Sequence, residues 1–292
     1  MERPQLLNKI MDAEFEQNGY IILKQFIQPE EIQILRELYK RTRNEKTLDD
    51  PNNPLLKSSK AAGFYANITV ADSSHRKEVN AGIRKIVDAK LTTLLRGYKS
   101  VFANFIVKEP IPQSAVAPHL DWHIVDESRF SAIRFWVPLQ DVNQENSTIG
   151  LIAGSHRKIN ILRGTPHYPY PYKDQIEKLY KMAIYPDLNA GDGVLFFNQL
   201  LHCSLPNQSS EARIAFDYQL APENARLYQF YFPPESLVEL DEPKILHVER
   251  WEVSPEFFLT FQIQQPYSGP HCRKVADIQY HWRKFTDEEL GL

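Results

Sequence analysis

Pro118-His119-Leu120-Asp121 is the stretch around which the rest of this chain is arranged. It lies between two apolar runs, at 102–107 and 133–139, so a strand or the rim of a strand is its expected setting. On a strand, residues i and i+2 point to the same face, so His119 and Asp121 would direct an imidazole and a carboxylate at one small volume. Such a pair suits a transition metal. A His-x-Asp motif alone, however, is a weak signal.

A second group of residues, later in the chain, strengthens this signal. His202 follows an apolar run, and Arg213 lies eleven residues beyond it, the distance expected for a neighbouring strand after a turn at 206–209. Two histidines and one carboxylate on one face form the facial triad of non-haem Fe(II) oxygenases, which leaves coordination positions open. A buried arginine needs an anionic partner, and its guanidinium fits a carboxylate in bidentate fashion. The sequence thus predicts a metal centre at His119, Asp121 and His202, with Arg213 as an anion-binding residue.

Composition and charge bound the classes of protein to which the chain can belong. Its 292 residues, 42 % hydrophobic and 24 % charged, are ordinary for a globular protein. A formal net charge of −3 gives no basic footprint, which argues against a nucleic-acid partner. No run is long enough to span a bilayer, and the first residues lack the apolar region of a signal peptide. Cys203 and Cys272 fit neither a disulfide framework nor a zinc pattern, so a cytoplasmic location is expected.

The order of the predicted elements favours an antiparallel β core that carries helices. A strand at 20–23 precedes a helix that begins at Pro29, a surface loop is expected at 44–62, and a second helix is predicted over 78–98. The chain contains no glycine-rich phosphate loop and no internal repeat. The predicted later strands are 63–70, 101–107, 133–139, 150–152, 193–197 and 214–220.

Two further segments have unusual composition. Residues 164–172 alternate proline with tyrosine, which excludes a helix or a central strand. This segment is either a stiff loop over a site or a surface connection. Residues 221–292 form a tail rich in aromatic side chains, and so many aromatics predict that the tail packs on the core or on a second subunit.

In the content and order of its motifs, the sequence from about residue 15 to about residue 220 resembles the phytanoyl-CoA dioxygenase family of Fe(II)/2-oxoglutarate oxygenases. The run of motifs is far more specific than His-x-Asp alone. The matching stretches are Phe15-x-x-x-Gly19-Tyr20, Pro118-His119-Leu120-Asp121-Trp122, Trp136-Val137-Pro138-Leu139-Gln140-Asp141, Gly154-Ser155-His156-Arg157, Ala190-Gly191-Asp192, His202-x-Ser204-x-Pro206-Asn207 and Arg213.

The resemblance implies a mainly β fold with flanking helices. Its core would be a double-stranded β-helix (a cupin-like jelly roll) with helices packed outside, in a single domain over 1–292. It also implies decarboxylation of 2-oxoglutarate to succinate and CO2, coupled to hydroxylation of an unactivated carbon, with Fe(II), 2-oxoglutarate and O2 as the cofactor and co-substrates. The positions that match the family's site residues are His119, Asp121 and His202 for iron, and Arg213, Ser204, Trp136 and Asn104 for 2-oxoglutarate.

We therefore expect a dioxygenase, monomeric or homodimeric, that hydroxylates a small or medium, largely apolar molecule, with secondary metabolism as the best guess for its setting. Asp121 favours hydroxylation or desaturation over halogen transfer, because related halogenases replace this carboxylate with a small residue. Desaturation, epoxidation or ring formation are open alternatives to hydroxylation. A non-catalytic member of the fold, or a cupin-like metal protein that does not use 2-oxoglutarate, are the rival interpretations.

Several residues near these motifs have more than one interpretation. His123 falls on the face of His119 if the strand continues, which would make it an alternative ligand or a substrate contact. Arg134 alternates in phase with Trp136, so it either holds an anionic substrate or forms a salt bridge. Asp126-Glu127 is most simply a solvated loop charge pair, and Cys203 a small buried apolar residue.

Overall fold

The structure is a computed structural model that describes residues 5–6, 8–43, 63–70, 72–166, 170–233, 242–262 and 265–292. The loop predicted at 44–62 lies outside these residues. The described strands are β1 (Gln5–Leu6), β2 (Tyr20–Leu23), β3 (Phe64–Ala66), β4 (Leu95–Arg96), β5 (Tyr98–Lys108), β6 (Val116–His119), β7 (Ile133–Pro138), β8 (Gly150–Leu151), β9 (Gly193–Phe197), β10 (His202–Ser204), β11 (Arg213–Pro222), β12 (Leu227–Tyr231), β13 (Lys244–Val253) and β14 (Cys272–Trp282). The described α-helices are α1 (Lys9–Asn18), α2 (Pro29–Thr42), α3 (Ser73–Leu91), α4 (Ile176–Met182), α5 (Pro255–Thr260) and α6 (Asp287–Leu290).

Two antiparallel sheets form the centre of the fold. The larger has six strands in the order β2-β9-β7-β11-β5-β3, and the smaller has three in the order β6-β10-β8. Consecutive strands in space are far apart in sequence, as in the double-sheet jelly roll. The predicted fold class, a mainly β jelly roll with flanking helices, is confirmed.

The alternation of side chains along the strands of the larger sheet creates two different layers. On β7, Phe135 and Val137 belong to the core formed with α2 and α3. Arg134 and Trp136, between them, face a cavity enclosed by the two sheets. Since side chains of a strand point alternately to its two faces, one face of this sheet packs against helices and the other lines the cavity.

The prediction of a helix over 78–98 is wrong at both ends of the helix. Helix α3 begins at Ser73, because the Asp72 side chain accepts a hydrogen bond from the Ser74 N–H and caps the first turn. It ends at Leu91, and Gly97 with its φ of +72° then turns the chain into β5. The strand predicted at 63–70 covers only 64–66, since a 3-10 turn follows it at Asn67–Thr69.

The aromatic tail packs on the core, which is one of the two arrangements that the sequence predicted for it. Strands β12, β13 and β14 form a separate three-stranded sheet. The tail side chains Phe257, Phe258 and Tyr267 share a buried cluster with Val101 and Phe102 of β5. Phe102 and Phe258 stack with ring centroids 5.0 Å apart. Among the helices of the described ranges, none is long and apolar enough to cross a membrane.

A tight turn before β9 joins three parts of the fold. Gly191, with a φ of +87°, donates its N–H to the Pro138 carbonyl and accepts a hydrogen bond from the Ile27 N–H. The Asp192 carboxylate accepts hydrogen bonds from the backbone N–H of Gln25 at 2.8 Å and of Asn189 at 2.9 Å. The turn leaves no room for a side chain, because a Cβ on Gly191 would lie 2.2 Å from the Ile27 carbonyl oxygen.

We expect Gly191→Ala to lower the free energy of unfolding by about 3 kcal/mol, because it combines backbone strain of about 1 kcal/mol with a steric clash of about 2 kcal/mol. Gly97→Ala is the matched control, since Gly97 also has a positive φ but a Cβ there would meet nothing within 4 Å. It should cost about 1 kcal/mol. Urea denaturation of the two variants measures the difference, and equal losses would contradict this account of the turn.

Candidate functional site

Two histidines lie opposite each other on adjacent strands of the smaller sheet. His119 is the last residue of β6 and His202 the first of β10, and the two are direct partners in the antiparallel register. Their ring centroids are 4.1 Å apart. Asp121 lies just beyond the end of β6, where its N–H donates to the Asn198 carbonyl. The structure thus brings together the three residues that the sequence suggested, with ligand atoms all within 4.8 Å of one another.

The histidine rings are held in the tautomer that binds metals. The Nδ1 atom of His119 lies 2.9 Å from the Ala117 carbonyl, and that of His202 lies 3.0 Å from the Leu200 carbonyl. A carbonyl only accepts hydrogen bonds, so each Nδ1 carries the proton and each Nε2 lone pair stays free. Burial lowers the pKa of His119 to about 3 and also lowers the pKa of His202. Both imidazoles are therefore neutral near pH 7.

Asp121 supplies the negative charge of the group. Its Oδ2 atom is buried and has no hydrogen-bond partner among the described residues, although Arg134 Nε lies 3.1 Å away as an ion pair with poor angular geometry. Burial opposes ionisation of this carboxyl, but the positive charge of Arg134 is the largest effect in favour of it, and the pKa of Asp121 stays below its ordinary value. A carboxylate oxygen that accepts no hydrogen bond among the described residues, beside two free imidazole nitrogens, fits a divalent transition metal with open positions.

A buried network fixes the backbone that carries Asp121. Arg163 donates from Nε to the Asp121 carbonyl at 2.6 Å and from its guanidinium to the Glu127 carboxylate at 2.9 Å. Glu127 also pairs with His123 Nε2 at 2.9 Å, and the Arg163 N–H donates to His123 Nδ1 at 3.1 Å. Burial opposes ionisation of Glu127, but Arg163 and His123 hold its pKa at about 2.

This network corrects two expectations. Glu127 is not a solvated loop charge, since its side chain is only 5 % exposed. His123 is not a ligand, because β6 ends at His119 and both His123 ring nitrogens are engaged in the network. Arg163 itself carried no recognisable sequence signal. Its partners come from a loop some forty residues earlier, and only the fold brings them together.

The site lies in a cavity of about 370 Å³ between the two sheets. Its walls near the candidate metal centre are mostly apolar, with Phe102, Ile106 and Phe196 among the lining residues. Gly164, Pro166 and Tyr170 also line the cavity, so the described residues on both sides of positions 167–169 in the proline- and tyrosine-rich segment lie at the site. Tyr168, which the sequence also suggested for this role, lies outside the described residues.

One end of the cavity has an uncompensated positive charge. Arg213 is buried, donates from Nε to the Ser147 carbonyl at 3.2 Å and lies over the Trp136 ring with its guanidinium carbon 5.3 Å from the centroid. Its cross-strand partner Lys108 is also buried and donates to the Leu205 carbonyl at 3.0 Å. Within the described ranges no carboxylate lies within 4.0 Å of either cation.

Burial lowers the pKa of Arg213 to about 9 and, with the Arg213 charge adding to the effect, that of Lys108 to about 6. A buried arginine needs an anionic partner, and the described chain supplies none to Arg213. Ser204 lines the same cavity. This end is suited to receive an external carboxylate.

A buried ion-pair group stands at another part of the cavity wall. Arg134 pairs with both Asp121 and Asp217, which resolves its two interpretations in favour of a salt bridge. Asn104 donates from Nδ2 to Asp217 Oδ2 at 3.1 Å. Burial raises the pKa of Asp217 to about 6, against the opposing effect of Arg134. Sequence reasoning missed Asp217, although a charged residue within the apolar run 214–220 and in phase with Arg213 was a visible signal.

The chain is similar to known proteins in sequence and in fold. The sequence model of the family "Phytanoyl-CoA dioxygenase (PhyH)" matches residues 15–215. A Danio rerio protein called phytanoyl-CoA dioxygenase domain-containing protein 1 is 30 % identical over 124 residues, 40 % of this chain and 42 % of that protein. The match therefore spans less than half the length of that relative. An Arabidopsis thaliana phytanoyl-CoA dioxygenase is 25 % identical over 244 residues, 69 % of this chain and 84 % of that protein.

Solved structures with a similar fold include EctD from S. alaskensis with 2-oxoglutarate and 5-hydroxyectoine. It has a TM-score of 0.54 at 19 % identity and covers 76 % of this chain and 78 % of its own. HygX from Streptomyces hygroscopicus with nickel and 2-oxoglutarate has a TM-score of 0.52 at 12 % identity, over 75 % of this chain and 89 % of its own. At these identities the likeness is one of fold.

His123→Ala should separate the supporting network from the candidate ligands. We expect it to lower the free energy of unfolding by about 2 kcal/mol, because it leaves a cavity and removes two buried hydrogen bonds, while Ni(II) binding persists. His119→Ala is the matched control and should abolish tight Ni(II) binding. Urea denaturation and calorimetric titration measure the two effects. Loss of Ni(II) binding in a folded His123→Ala protein would contradict the assignment of His123 to the network.

Proposed function

The chain belongs to the phytanoyl-CoA dioxygenase family of Fe(II)- and 2-oxoglutarate-dependent oxygenases, and on that premise we propose that it hydroxylates an unactivated carbon of a small, largely apolar molecule, with release of succinate and CO2. The observation that carries the proposal is the convergence of His119, Asp121 and His202 within 4.8 Å, with both Nε2 atoms free, at the wall of a cavity that also holds the unpaired Arg213. Two neutral imidazoles and a carboxylate leave a divalent metal with positions for co-substrate and dioxygen.

Each residue of the proposed site has a distinct task. His119, Asp121 and His202 would hold Fe(II), and Arg213 would bind the distal carboxylate of 2-oxoglutarate with help from the Ser204 hydroxyl. Bound Fe(II) and 2-oxoglutarate together supply the activation of dioxygen and the oxidising equivalents for C–H hydroxylation. The chain orients these groups and excludes water.

The Trp136 ring, which lies against the Arg213 guanidinium, would orient that cation and shield it from water. The carbonyls of Ala117 and Leu200 would hold the two imidazoles in a fixed tautomer throughout the reaction. Asp121 stands where related halogenases have a small residue, which supports hydroxylation or desaturation over halogen transfer.

The cavity supports a small and mainly apolar substrate. Its volume of about 370 Å³ must hold both the co-substrate and the substrate, and side chains such as Phe64, Ile68 and Phe102 dominate its lining. We also propose that residues 1–292 act as one domain, since Arg76 of α3 donates to the Phe261 carbonyl of the tail at 2.8 Å. A cytoplasmic location belongs to the same proposal and is supported by two unpaired cysteines.

An anaerobic titration with Fe(II) and then 2-oxoglutarate tests this function. Chelation of the keto acid by iron gives a weak visible charge-transfer band, which we expect to saturate in the wild-type protein. The band should disappear in His119→Ala, which removes a ligand. If iron binds and no band forms, the co-substrate assignment is wrong and the cupin-like alternative is favoured. If neither Fe(II) nor 2-oxoglutarate binds, the protein has the fold of the family but not its metal-dependent activity.

Arg213→Met should weaken 2-oxoglutarate binding by on the order of 100-fold, because it removes a buried charge-assisted pair while leaving the iron ligands intact. The titration described above gives this affinity directly. Arg84→Met is a matched control, since the Arg84 side chain is 37 % exposed and pairs with Asp88 on its own helix. An unchanged 2-oxoglutarate affinity in Arg213→Met would contradict the role given to Arg213.

A further inference from the structure

We propose that Asp217 and Asn104 form a substrate-recognition subsite that binds an O–H or N–H donor of the substrate beside the metal centre. This inference rests on the proposed function and gives the otherwise apolar substrate a required polar group. It concerns the cavity wall formed by β5 and β11, and it assigns Asn104, which the family resemblance would place with 2-oxoglutarate, to the substrate instead.

The position of this subsite follows from the sheet register. Asn104 of β5 and Asp217 of β11 are direct cross-strand partners in the middle of this strand pair, and Lys108 and Arg213 are partners at one end of it. Asp217 and Arg213 point to the same face and are four residues apart, so their Cα atoms are separated by about 13 Å at a strand rise of about 3.3 Å per residue. A co-substrate held between Arg213 and the metal therefore leaves Asp217 and Asn104 facing whatever else enters the cavity.

The hydrogen bonds of these two side chains leave acceptors without donors. Asp217 Oδ2 accepts from both Arg134 and Asn104 Nδ2, and no hydrogen bond within the described chain ends on Asp217 Oδ1. Asn104 Oδ1 is buried and has no partner among the described residues. Both residues line the cavity. A buried acceptor without a donor costs free energy, so a ligand that brings a donor is favoured at this place.

The Asn104 amide cannot turn to remove this requirement. Its Nδ2 faces a carboxylate, which only accepts, so Asp217 fixes the amide with Oδ1 as the atom that has no partner among the described residues. Arg134 in turn holds Asp217, because its guanidinium pairs with both Asp217 and Asp121. The acceptor pair is therefore rigid, and a rigid pair selects ligands by the position of their donor.

The chemistry of the group to be bound follows from this charge balance. Asp217 already has beside it the positive charge of Arg134, which it shares with Asp121, so the subsite does not require a full positive charge and accepts an alcohol or amide as well as an ammonium group. A carboxylate or an ether oxygen, which brings no donor, would face two acceptors and be repelled.

The ion-pair network also fixes where the donor lies relative to the reaction. A single guanidinium, that of Arg134, bridges Asp217 to the candidate metal ligand Asp121. A donor bound at Asp217 is therefore close to the metal, and the carbon that is hydroxylated lies within a few bonds of that donor. The subsite would in this way determine which carbon of the substrate reacts.

Three probes of equal ring size test the proposal on the anaerobic protein loaded with Fe(II) and 2-oxoglutarate. They are cyclohexanol, cyclohexylamine and methoxycyclohexane, which carry a hydroxyl donor, a charged N–H donor and no donor. Ligand-observed NMR measures their affinities, because paramagnetic Fe(II) shortens the relaxation times of protons on a nearby probe. We expect at least one donor probe to bind about tenfold more tightly than the ether, and the alcohol and amine arms show which donor is preferred.

Asp217→Asn should remove or reverse this preference, since an amide that keeps its oxygen towards Arg134 presents N–H to the cavity. Asn104→Leu removes one acceptor and leaves the Arg134–Asp217 pair intact, and should reduce the preference about threefold. Asp174→Asn, an exposed carboxylate paired with Lys284 on the surface, is the matched control and should leave the preference unchanged. The charge-transfer band with 2-oxoglutarate verifies that each variant is folded and loaded.

Equal binding of the three probes by the wild-type protein would overturn the proposal, as would no detectable binding of either donor probe at 50 mM. A donor preference that survives in both Asp217→Asn and Asn104→Leu would also overturn it. A wild-type protein that forms no charge-transfer band would instead overturn the proposed function, and the subsite with it. The two failures are thus distinguished by a signal that involves none of the probes.

Discussion

The direct pairing of His119 with His202, across β6 and β10, is the contact on which the rest of the site depends. It places two imidazoles 4.1 Å apart between centroids, and neighbouring carbonyls orient both rings. The third candidate ligand, Asp121, lies beyond the end of the strand and has no ladder partner to fix it. Arg163 takes over that role by binding the Asp121 carbonyl at 2.6 Å, and Glu127 holds Arg163 in turn. A short strand pair and one buried ion pair thus position all three residues.

The alternation of side chains on the larger sheet explains how a charged cavity can exist inside an apolar fold. On β11, Phe216 and Tyr218 belong to the layer that packs on helices, whereas Arg213, Ala215 and Asp217 face inwards. At one place the inner face carries Arg213, which has no carboxylate partner among the described residues. At another it carries the ion pair of Arg134 and Asp217, beside which Asn104 Oδ1 has no hydrogen-bond donor in the described chain. This asymmetry suits the two parts of one cavity to different ligands, the proposed carboxylate at Arg213 and the proposed donor at Asp217.

The tail beyond the family's matched residues is structurally part of this cavity's support. Phe258 stacks on Phe102, and Phe102 lines the cavity on its other side. Arg134, which bridges the two aspartates, lies with its guanidinium carbon 5.2 Å from the Phe102 ring centroid. The aromatic cluster of the tail therefore packs behind the part of the cavity wall that holds the ion-pair group.

The sequence by itself determined the fold class, the helix at Pro29, most of the strands and the identity of the His119, Asp121 and His202 group, because period-two alternation and ordered motifs are local properties of the chain. The sequence could not determine where β6 ends, so it left His123 as a candidate metal ligand. The end of the strand at His119 excludes that role. Nor could the sequence reveal the pairing of Arg163 with Glu127 or of Arg134 with Asp217. Those partners lie 36 and 83 residues apart, and only the packing of loops and the register of distant strands brings such charges within hydrogen-bond distance.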